Sequence, residues 1–266
     1  NPPMNIIGSK CNKGILILKK IYSFNKAPMI IVQENIAELI KLVSNAFHSV
    51  KISFANEIGN LCKKLEIDPL EIMEIFSLDK KLNISPVYLK PGFAFGGSCL
   101  PKDLKALNII AKNNSIKLPL ISNVTSSNEF QKQLTFDLIK SLKEKNIGIW
   151  GLSFKIGTDD LRGSPIIDVI KMLIKRGFKL KLFDQNVDVR KLIGINKTYI
   201  YKILPNIEKL IVKNIDDLFK FSKVIVVNSY DYKIIKKLKK YNHLKVIDLV
   251  YTEELRSDKN YFGLCW

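Results

Sequence analysis

The stretch Ile147-Gly148-Ile149-Trp150-Gly151-Leu152 begins the pattern that decides the fold of this chain. Its short apolar run indicates a buried strand, and a polar loop over 153–163 follows it. Ser164 is a suitable N-cap and Pro165 a suitable first residue of a helix that ends before Gly177. Later apolar runs indicate strands that alternate with helices: strands at 179–184, 224–227 and 246–249, and helices at 216–221 and 231–240. This alternation predicts a parallel, doubly wound α/β sheet, whose ligands bind beyond the carboxyl ends of the strands.

Helical patterns cover most of the residues between 33 and 135, with a mixed loop at 79–90. One stretch without proline runs from 33 to about 65, which is long for a helix of a globular protein. Further helical patterns cover 68–77, 101–113 and about 124–145. We therefore predict an all-α central domain over 33–135, followed by the α/β domain over 136–266.

The first 32 residues have a different pattern. Short apolar runs at 4–7 and 29–32 flank a helical pattern at 15–22. No Gly-x-Gly-x-x-Gly fingerprint accompanies them, and no acidic residue is placed to bind a ribose. We interpret residues 1–32 as the remnant of an N-terminal α/β domain.

The 266-residue chain is strongly basic, with a formal net charge of +18. Nucleic-acid binding would explain such a charge, but only four of the basic residues are arginine. No arginine-rich stripe or aromatic platform is present, and the mixture of Lys, Ile and Asn is typical of an AT-rich genome. We expect no nucleic-acid partner and instead an anionic nucleotide as the ligand.

Apolar runs and cysteine spacing indicate where the protein is located and whether it binds a metal. No apolar run approaches the roughly 20 residues of a membrane span, and no signal-peptide pattern begins the chain. The four cysteines are scattered, without the CxxC or His-rich spacing of a zinc site. We expect a cytoplasmic protein with no membrane partner and no metal site.

The run Pro91-Gly-Phe-Ala-Phe-Gly-Gly-Ser-Cys-Leu-Pro-Lys-Asp103 carries the clearest chemistry. Cys99 lies where a glycine-rich loop becomes a helix, and Pro101 suits the first turn of that helix. The positive end of the helix dipole and the nearby Lys102 favour a nucleophilic thiolate. Asp103 lies about one turn further on the same face, so a nucleophile and an acid/base group are predicted side by side. The alternative is an inert cysteine that packs as a small apolar residue.

A polar seam follows one face of the long helix. Lys41, Asn45, His48, Ile52 and Asn56 are spaced by four, three, four and four residues, which places them on one stripe. A solvated face is the simpler interpretation of such a stripe. The composition weakens it, because a wet face is usually richer in Glu and Lys than in Asn and His.

Three motifs together resemble those of the nucleotide-sugar 6-dehydrogenases, the UDP-glucose/GDP-mannose dehydrogenase family. They are the run 91–103, the motif Lys-x-x-x-Asn-x-x-His at 41–48 with its continuation at 51–60, and Ser-Phe-Lys-x-Gly-Thr-Asp-Asp-Leu-Arg-x-Ser-Pro at 153–165. The form of the first motif looks most like that of the members that oxidise GDP-mannose. The resemblance implies that this chain is roughly the last three-fifths of an enzyme and lacks most of an N-terminal NAD-binding domain.

The resemblance implies a helical domain that forms a homodimer, followed by a Rossmann-like domain that binds the nucleotide sugar. It implies an NAD-dependent, four-electron oxidation of a sugar C6 alcohol to a carboxylate, through a thiohemiacetal and a thioester on Cys99. Lys41 and Asn45 would stabilise the oxyanion, and Asp103 would orient or deprotonate the water. By analogy alone, the product would supply alginate or another uronate polymer.

The resemblance also implies which residues contact the ligands. The substrate contacts would be His48, Asn56, Tyr88, Lys90, Phe93, Gly96 and Lys155. The NAD contacts would be Lys102 and Arg162. The chain departs from the family pattern at three positions, with Val87 in place of a tyrosine, Lys90 in place of an arginine and Gly163 in place of a glutamate.

Two alternatives remain open at this point. A UDP-glucose 6-dehydrogenase would have a similar build, although the Phe-Ala-Phe insertion at 93–95 and the terminal Cys265-Trp266 argue against it. An inactive remnant would keep only nucleotide-sugar binding and dimerisation. The intact catalytic set argues against a remnant: Cys99, Asp103, Lys41 and Asn45.

Overall fold

The computed structural model describes residues 2–64, 66–80, 90–113 and 118–266, and it begins with a small parallel βαβ unit. The unit consists of β1 (Asn5–Gly8), α1 (Asn12–Ile21) and β2 (Met29–Val32), with Asn5 paired to Met29. It leaves large apolar side chains exposed, among them Leu16, Ile17, Phe24 and Ile30. A two-stranded parallel sheet has too little buried surface to be stable by itself, so these side chains mark a face that further structure can cover.

The central part is helical, as predicted. It contains α2 (Glu34–Lys64), α3 (Pro69–Leu78), α4 (Cys99–Asn113) and α5 (Pro119–Ser141). The 31 residues of α2 form the long helix that the sequence predicted. α2, α4 and α5 pack around a small core of Ala46, Phe95, Leu104 and Val124, so they enclose the segment that leads to Cys99.

The last part is a five-stranded sheet whose strands are all parallel. Its strands are β3 (Asn146–Trp150), β4 (Lys179–Phe183), β5 (Val224–Val227), β6 (Lys245–Asp248) and β7 (Tyr261–Gly263), in the order β4-β3-β5-β6-β7. Its helices are α6 (Pro165–Lys175), α7 (Gly194–Ile203), α8 (Ile207–Leu210), α9 (Ile215–Phe221) and α10 (Tyr232–Leu238). The chain passes from β3 to β4 on one side and then to β5 on the other, which makes a topological switch point and confirms the doubly wound fold.

Alternate residues of the strands bury opposite faces of this sheet. Ile147 and Ile149 of β3 pack into the core that includes α6, whereas Trp150 packs with Phe219 of α9 on the other face. α5 connects this core to the helical part, because Phe136 lies in the sheet core and Val124 in the helical core. One helix therefore ties the two parts together, and the predicted division at 135/136 falls within it.

The structure differs from the predicted elements in a few places. α4 begins at Cys99 and not at 101, and α5 begins at Pro119 and not near 124. The sequence patterns did not indicate α7, α8 or β7. Ser164 occupies the N-cap position of α6, but its hydroxyl donates to the carbonyl of Leu152 (2.7 Å) and not to the helix.

Among the residues that the structure describes, we find no helix with the length and apolar character to cross a membrane.

Candidate functional site

The centre of the candidate site is the carboxylate of Asp103, which is fully buried. Its Oδ2 accepts from the ammonium of Lys41 (3.0 Å) and from the carboxamide of Asn45. The ammonium of Lys102 lies 3.9 Å from Oδ1. Two residues of the predicted seam on α2 therefore meet the acid that the sequence placed beside Cys99.

Asp103 is held as a carboxylate by its neighbours. Burial acts to raise the pKa of Asp103, but the hydrogen bonds from Asn45 and Lys41 outweigh it. The positive charges of Lys41 and Lys102 act in the same direction, so the pKa of Asp103 lies below its ordinary value. Oδ1 is buried and has no hydrogen-bond partner among the described residues, so one acceptor position of the carboxylate is unpaired.

Cys99 is the first residue of α4 and is exposed. Its sulfur lies 3.9 Å from the hydroxyl of Ser98. Asp103 is one helical turn further along α4, about 6 Å along the axis. The thiol is therefore accessible to a substrate while the carboxylate one turn away is buried, and Cys99 does not pack as a small apolar residue.

Three buried carboxamides hold the loop that leads to Cys99. Asn56 accepts from the backbone N–H of Gly92 (2.7 Å) and donates to the carbonyl of Phe93 (3.3 Å). Asn128 of α5 bonds the N–H and the carbonyl of Phe95, both at 2.9 Å. Gln131 of α5 donates to the carbonyl of Gly92. Irregular backbone needs such partners when it is buried, so these side chains fix the loop.

The burial of the polar seam on α2 differs along its length. Asn56 is 3% exposed, so a solvated face is the wrong interpretation there. His48 is half-buried, and burial together with the charge of Lys51 lowers the pKa of His48. A neutral imidazole can both donate and accept a hydrogen bond at pH 7.

The loop also packs against the polar loop that follows β3. The N–H of Gly97 donates to the carbonyl of Gly163 (3.0 Å). A Cβ added at Gly96 would lie 2.4 Å from the oxygen of Gly163, and one added at Gly97 would lie 2.7 Å from the ring of Phe154. These glycines allow the two loops to approach at backbone distance, which brings the thiol-bearing helix to the carboxyl edge of the sheet.

The remaining predicted contacts lie around this junction, with one outside it. Lys90 and Lys155 are exposed, and Phe93 is half-buried against the sheet core. Arg162 is engaged by Asp160, with Nε to Oδ1 at 2.9 Å and Nη2 to Oδ2 at 2.7 Å. The predicted contact Tyr88 and the departure Val87 lie outside the described residues.

We expect Gly163→Ala to destabilise the protein more than Gly177→Ala. Both glycines have a positive φ, +64° and +75°, so alanine costs each position about 1 kcal/mol of backbone strain. A Cβ at 163 would also lie 2.7 Å from the carbonyl oxygen of Gly97, whereas nothing lies within 4 Å at 177. This collision adds roughly 1–3 kcal/mol.

The measurement is urea unfolding of both variants, combined with the rate at which iodoacetamide alkylates Cys99. Only Gly163→Ala should change that rate, since only its contact lies on the loop that ends at Cys99. Equal losses of stability with unchanged alkylation would contradict this packing.

A cavity of about 1030 Å³ lies elsewhere, between α5, α6 and residues 203–210. Ser126, Phe130 and Gln133 line it, and they face away from the side of α5 that carries Asn128 and Gln131. Its charged lining includes Lys132, paired with Glu129 and Asp168 at 2.7 Å each, together with Lys171 and Lys175. Among the described residues, no cysteine or histidine lines this cavity and no cluster of His, Cys, Asp and Glu is suited to a metal, so we place the chemistry at Cys99.

Two family profiles match the chain. The central domain of the UDP-glucose/GDP-mannose dehydrogenase family matches residues 35–130, and the UDP binding domain of the same family matches residues 148–252. Together these matches cover about three quarters of the chain.

Known proteins of that family are similar over the whole chain. The GDP-mannose 6-dehydrogenase of Pseudomonas aeruginosa is 40% identical over 266 residues, which are 100% of this chain and 61% of that protein. The chain therefore spans about three-fifths of the length of the curated relatives it matches.

Two solved structures are similar at full coverage of this chain. A ternary complex of GDP-mannose dehydrogenase from Pseudomonas aeruginosa has a TM-score of 0.62 at 39% identity, and 61% of it is covered. A UDP-glucose dehydrogenase from Pyrobaculum islandicum has a TM-score of 0.84 at 26% identity, and 59% of it is covered. Sequence identity and superposition thus favour different relatives.

Proposed function

This chain belongs to the UDP-glucose/GDP-mannose dehydrogenase family, and we propose that it is the thiol-bearing, substrate-binding part of an NAD-dependent GDP-mannose 6-dehydrogenase. The enzyme would oxidise the C6 alcohol of the sugar to a carboxylate in two steps. The observation that carries the proposal is the contact of Lys41 and Asn45 with the buried Asp103, one turn from the exposed Cys99. Identity of 40% over the whole chain to a GDP-mannose 6-dehydrogenase supports the choice of substrate.

Cys99 supplies the nucleophile for the second oxidation. Its thiolate adds to the carbonyl carbon of the C6 aldehyde, so the carbonyl oxygen becomes the oxyanion of a thiohemiacetal. Loss of hydride from that carbon gives a thioester, and water then displaces the thiolate to leave the carboxylate. NAD⁺, when bound, accepts the hydride in each of the two oxidations.

In this proposal Lys41 and Asn45 stabilise that oxyanion. Asp103 takes one N–H from each, so the ammonium keeps two further N–H donors and the carboxamide keeps one. The same bonds fix the direction of both side chains before a substrate arrives. Donors oriented in advance are worth several kcal/mol when charge develops on oxygen.

Asp103 acts as an orienting group and not as a strong base. Its pKa is lowered, so it has little tendency to take a proton from water at neutral pH. Its Oδ1 has an unused acceptor position, and because this oxygen is buried, the neighbouring side chains would have to move before it held a water molecule for attack on the thioester. We therefore choose orientation over deprotonation for this residue.

The predicted substrate contacts divide into two groups. Asn56 has both ends of its carboxamide bonded to the loop at 92–93, so we propose that it shapes the substrate loop. His48, Phe93 and Gly96 are half-buried and keep their substrate contacts as expectations from the resemblance, and the exposed Lys90 and Lys155 can meet the diphosphate. Tyr88 keeps its predicted role as an expectation from the sequence.

The residues present fit an NAD-dependent reaction in part. The side chain of Lys102 is 68% exposed beside the carboxylate of Asp103, so its ammonium can meet an anionic group of the cofactor. The guanidinium of Arg162 is neutralised by Asp160, so it would have to exchange partners to bind a phosphate. The Gly-x-Gly-x-x-Gly fingerprint of an NAD-binding domain is not in this sequence, so the main cofactor contacts would come from an N-terminal domain.

The proposal includes a homodimer that forms through the central helical domain. α2 leaves a stripe of large apolar side chains between 41% and 51% exposed: Ile36, Leu39, Val43, Phe47 and Phe54. Their spacing of three, four, four and seven residues is that of a helix–helix seam. Such a stripe supports pairing with a second copy.

The test of the substrate is a thermal shift with two nucleotide sugars. We expect GDP-mannose at about 100 times its dissociation constant to stabilise the protein by ~2.7 kcal/mol, which raises the melting temperature by roughly 5 °C. UDP-glucose at the same concentration should give a smaller shift. The reverse ranking would assign the chain to the UDP-glucose branch, which the TM-score of 0.84 to the Pyrobaculum islandicum enzyme favours. No shift with either would reject nucleotide-sugar binding.

A further inference from the structure

The C-terminal tail, residues 263–266, is anchored at the carboxyl edge of the sheet. The N–H of Leu264 donates to the carbonyl of Asp248 (3.2 Å), the last residue of β6. The indole N–H of Trp266 donates to the hydroxyl of Tyr261, which in turn donates to the carboxylate of Asp248 (3.0 Å). Ligands of parallel sheets bind at this edge, so the tail is fixed beside the ligand-binding end of the strands.

The next contact of the tail is with the loop that leads to Cys99. Cys265 is fully buried, and its sulfur lies 3.6 Å from the carbonyl oxygen of Gly92, to which it donates. Gln131 donates to the sulfur at 3.2 Å and also to the same carbonyl. Burial raises the pKa of the Cys265 thiol to about 11, so the thiol keeps its proton and remains a donor.

The tail also closes onto the long helix. The ammonium of Lys63 of α2 donates to the carbonyls of Gly263 and of Leu264, the latter at 3.3 Å. One turn earlier, a Cβ added at Gly59 would lie 2.6 Å from Cβ of Pro91 and 3.0 Å from Cβ of Cys265. Helix, loop and tail therefore meet with no room for one further methyl group.

Four separate parts of the fold thus converge on the tail: the edge of β6, the loop at 91–92, α2 and α5. The loop runs seven residues from Gly92 to Cys99. We propose that the tail is a positioning element, which couples occupancy of the carboxyl edge of the sheet by a nucleotide to the placement of the Cys99 loop. Cys265 is a positioning residue in this inference, which rests on the function proposed above.

The experiment measures alkylation of Cys99 by iodoacetamide, by mass spectrometry of the whole gene product, with and without GDP. GDP lacks the sugar, so any effect of GDP on Cys99 must come from the nucleotide bound at the carboxyl edge of the sheet. In the unaltered protein we expect GDP to change the alkylation rate about 5-fold, the lower end of typical coupling between two sites. A protein that ends at Leu264 should still bind GDP, but GDP should change its alkylation rate by less than about 1.5-fold.

Two further variants guard against simple misfolding. Cys265→Ala keeps Trp266 and its anchor, and it should reduce the effect of GDP to an intermediate value. Cys62→Ala removes another buried thiol, 5% exposed on α2, and should leave the effect of GDP unchanged. Circular dichroism checks that each variant folds.

The outcomes separate this inference from the proposed function. If the unaltered protein neither binds GDP nor oxidises GDP-mannose, both fail. If it does both, and the truncated and Cys265→Ala proteins keep the full effect of GDP on Cys99, the coupling role of the tail is rejected while the proposed function stands.

Discussion

Replacing Cys99 with alanine should abolish the formation of a sugar carboxylate and reduce steady-state turnover by on the order of 10³–10⁶-fold. Cys99 is the one cysteine of α4, whereas Cys62 and Cys265 are buried elsewhere and Cys11 lies in the first βαβ unit. Without a thioester the reaction stops at the aldehyde. We therefore expect two NADH per GDP-mannose in the unaltered whole gene product and at most one in the variant.

Cys11→Ala is the matched control for this prediction. Cys11 is also exposed and also lies at a helix N-terminus, where its sulfur accepts from the N–H of Gly14 (3.5 Å). It differs from Cys99 in having no buried carboxylate one turn along α1, where residue 15 is isoleucine. The control should keep two NADH per sugar. Two NADH per sugar from Cys99→Ala would remove the thioester from the mechanism.

The fold of the second half was predictable because its signals are local. The strands at 146–150 and 224–227 are continuous apolar runs buried on both faces, and α6 begins at Pro165, where the sequence predicted. α7 was missed because its first residue is Gly194 and no side chain caps it. Of its residues only Ile200 is buried, so the helical period is weak.

α5 shows tertiary contacts overriding propensity. Its first turns contain Ser122, Asn123 and Thr125, which are poor helix formers, so the pattern was read from about 124. In the structure Val124 packs into the helical core and Asn128 binds Phe95, and these contacts stabilise the early turns. Pro119 at the first helical position was the signal that marks the true start.

The site, like the fold, has parts that local sequence patterns predicted and parts that depend on long-range contacts. Periodicity placed Lys41 and Asn45 on one face of α2, and the segment after the glycines placed Asp103 one turn from Cys99. These two faces meet through contacts of Asp103 with Asn45, 58 residues away, and with Lys41, 62 residues away. No local sequence pattern indicates contacts at such separations. Asn128, Gln131 and Cys265 were missed for the same reason, because Cys265 contacts a loop 173 residues away. For Asn128 and Gln131, the sequence does carry one local signal, which is their spacing of three residues on one face of α5.

The first βαβ unit is connected directly to the helix that carries the donors of the site. β2 runs directly into α2, and Lys41 lies two turns into that helix. Structure that packs on the exposed faces of α1 and β2 would therefore adjoin the segment that leads into α2, the helix that carries the donors of the site. The share of the relatives that this chain covers, 61%, leaves room for such a domain, which supports testing the chemistry on the whole gene product.

Asp103→Asn should lower kcat by about 100- to 1000-fold, with a smaller change in KM for GDP-mannose, because the donors that it orients act on charge that develops during the reaction. The amide removes the negative charge that holds Lys41 and presents an N–H group within the fully buried site. Since Lys41 is 59% exposed and can be solvated instead, we expect a loss of only about 1–3 kcal/mol in the free energy of unfolding.

The pH dependence gives a second readout of the same variant. A carboxyl whose pKa is lowered on folding stabilises the folded state above its unfolded pKa, near ~4, and loses that contribution as the pH falls through the lower folded value. The difference in unfolding free energy between the unaltered protein and Asp103→Asn should therefore be full at pH 7 and shrink below about pH 4. Asp168→Asn, which breaks the Lys132 ion pair of 2.7 Å at the far cavity, should leave kcat unchanged. Equal losses of kcat in the two variants would mean that Asp103 acts on stability alone, and the role of its lysine and asparagine partners as oriented donors would have to be abandoned.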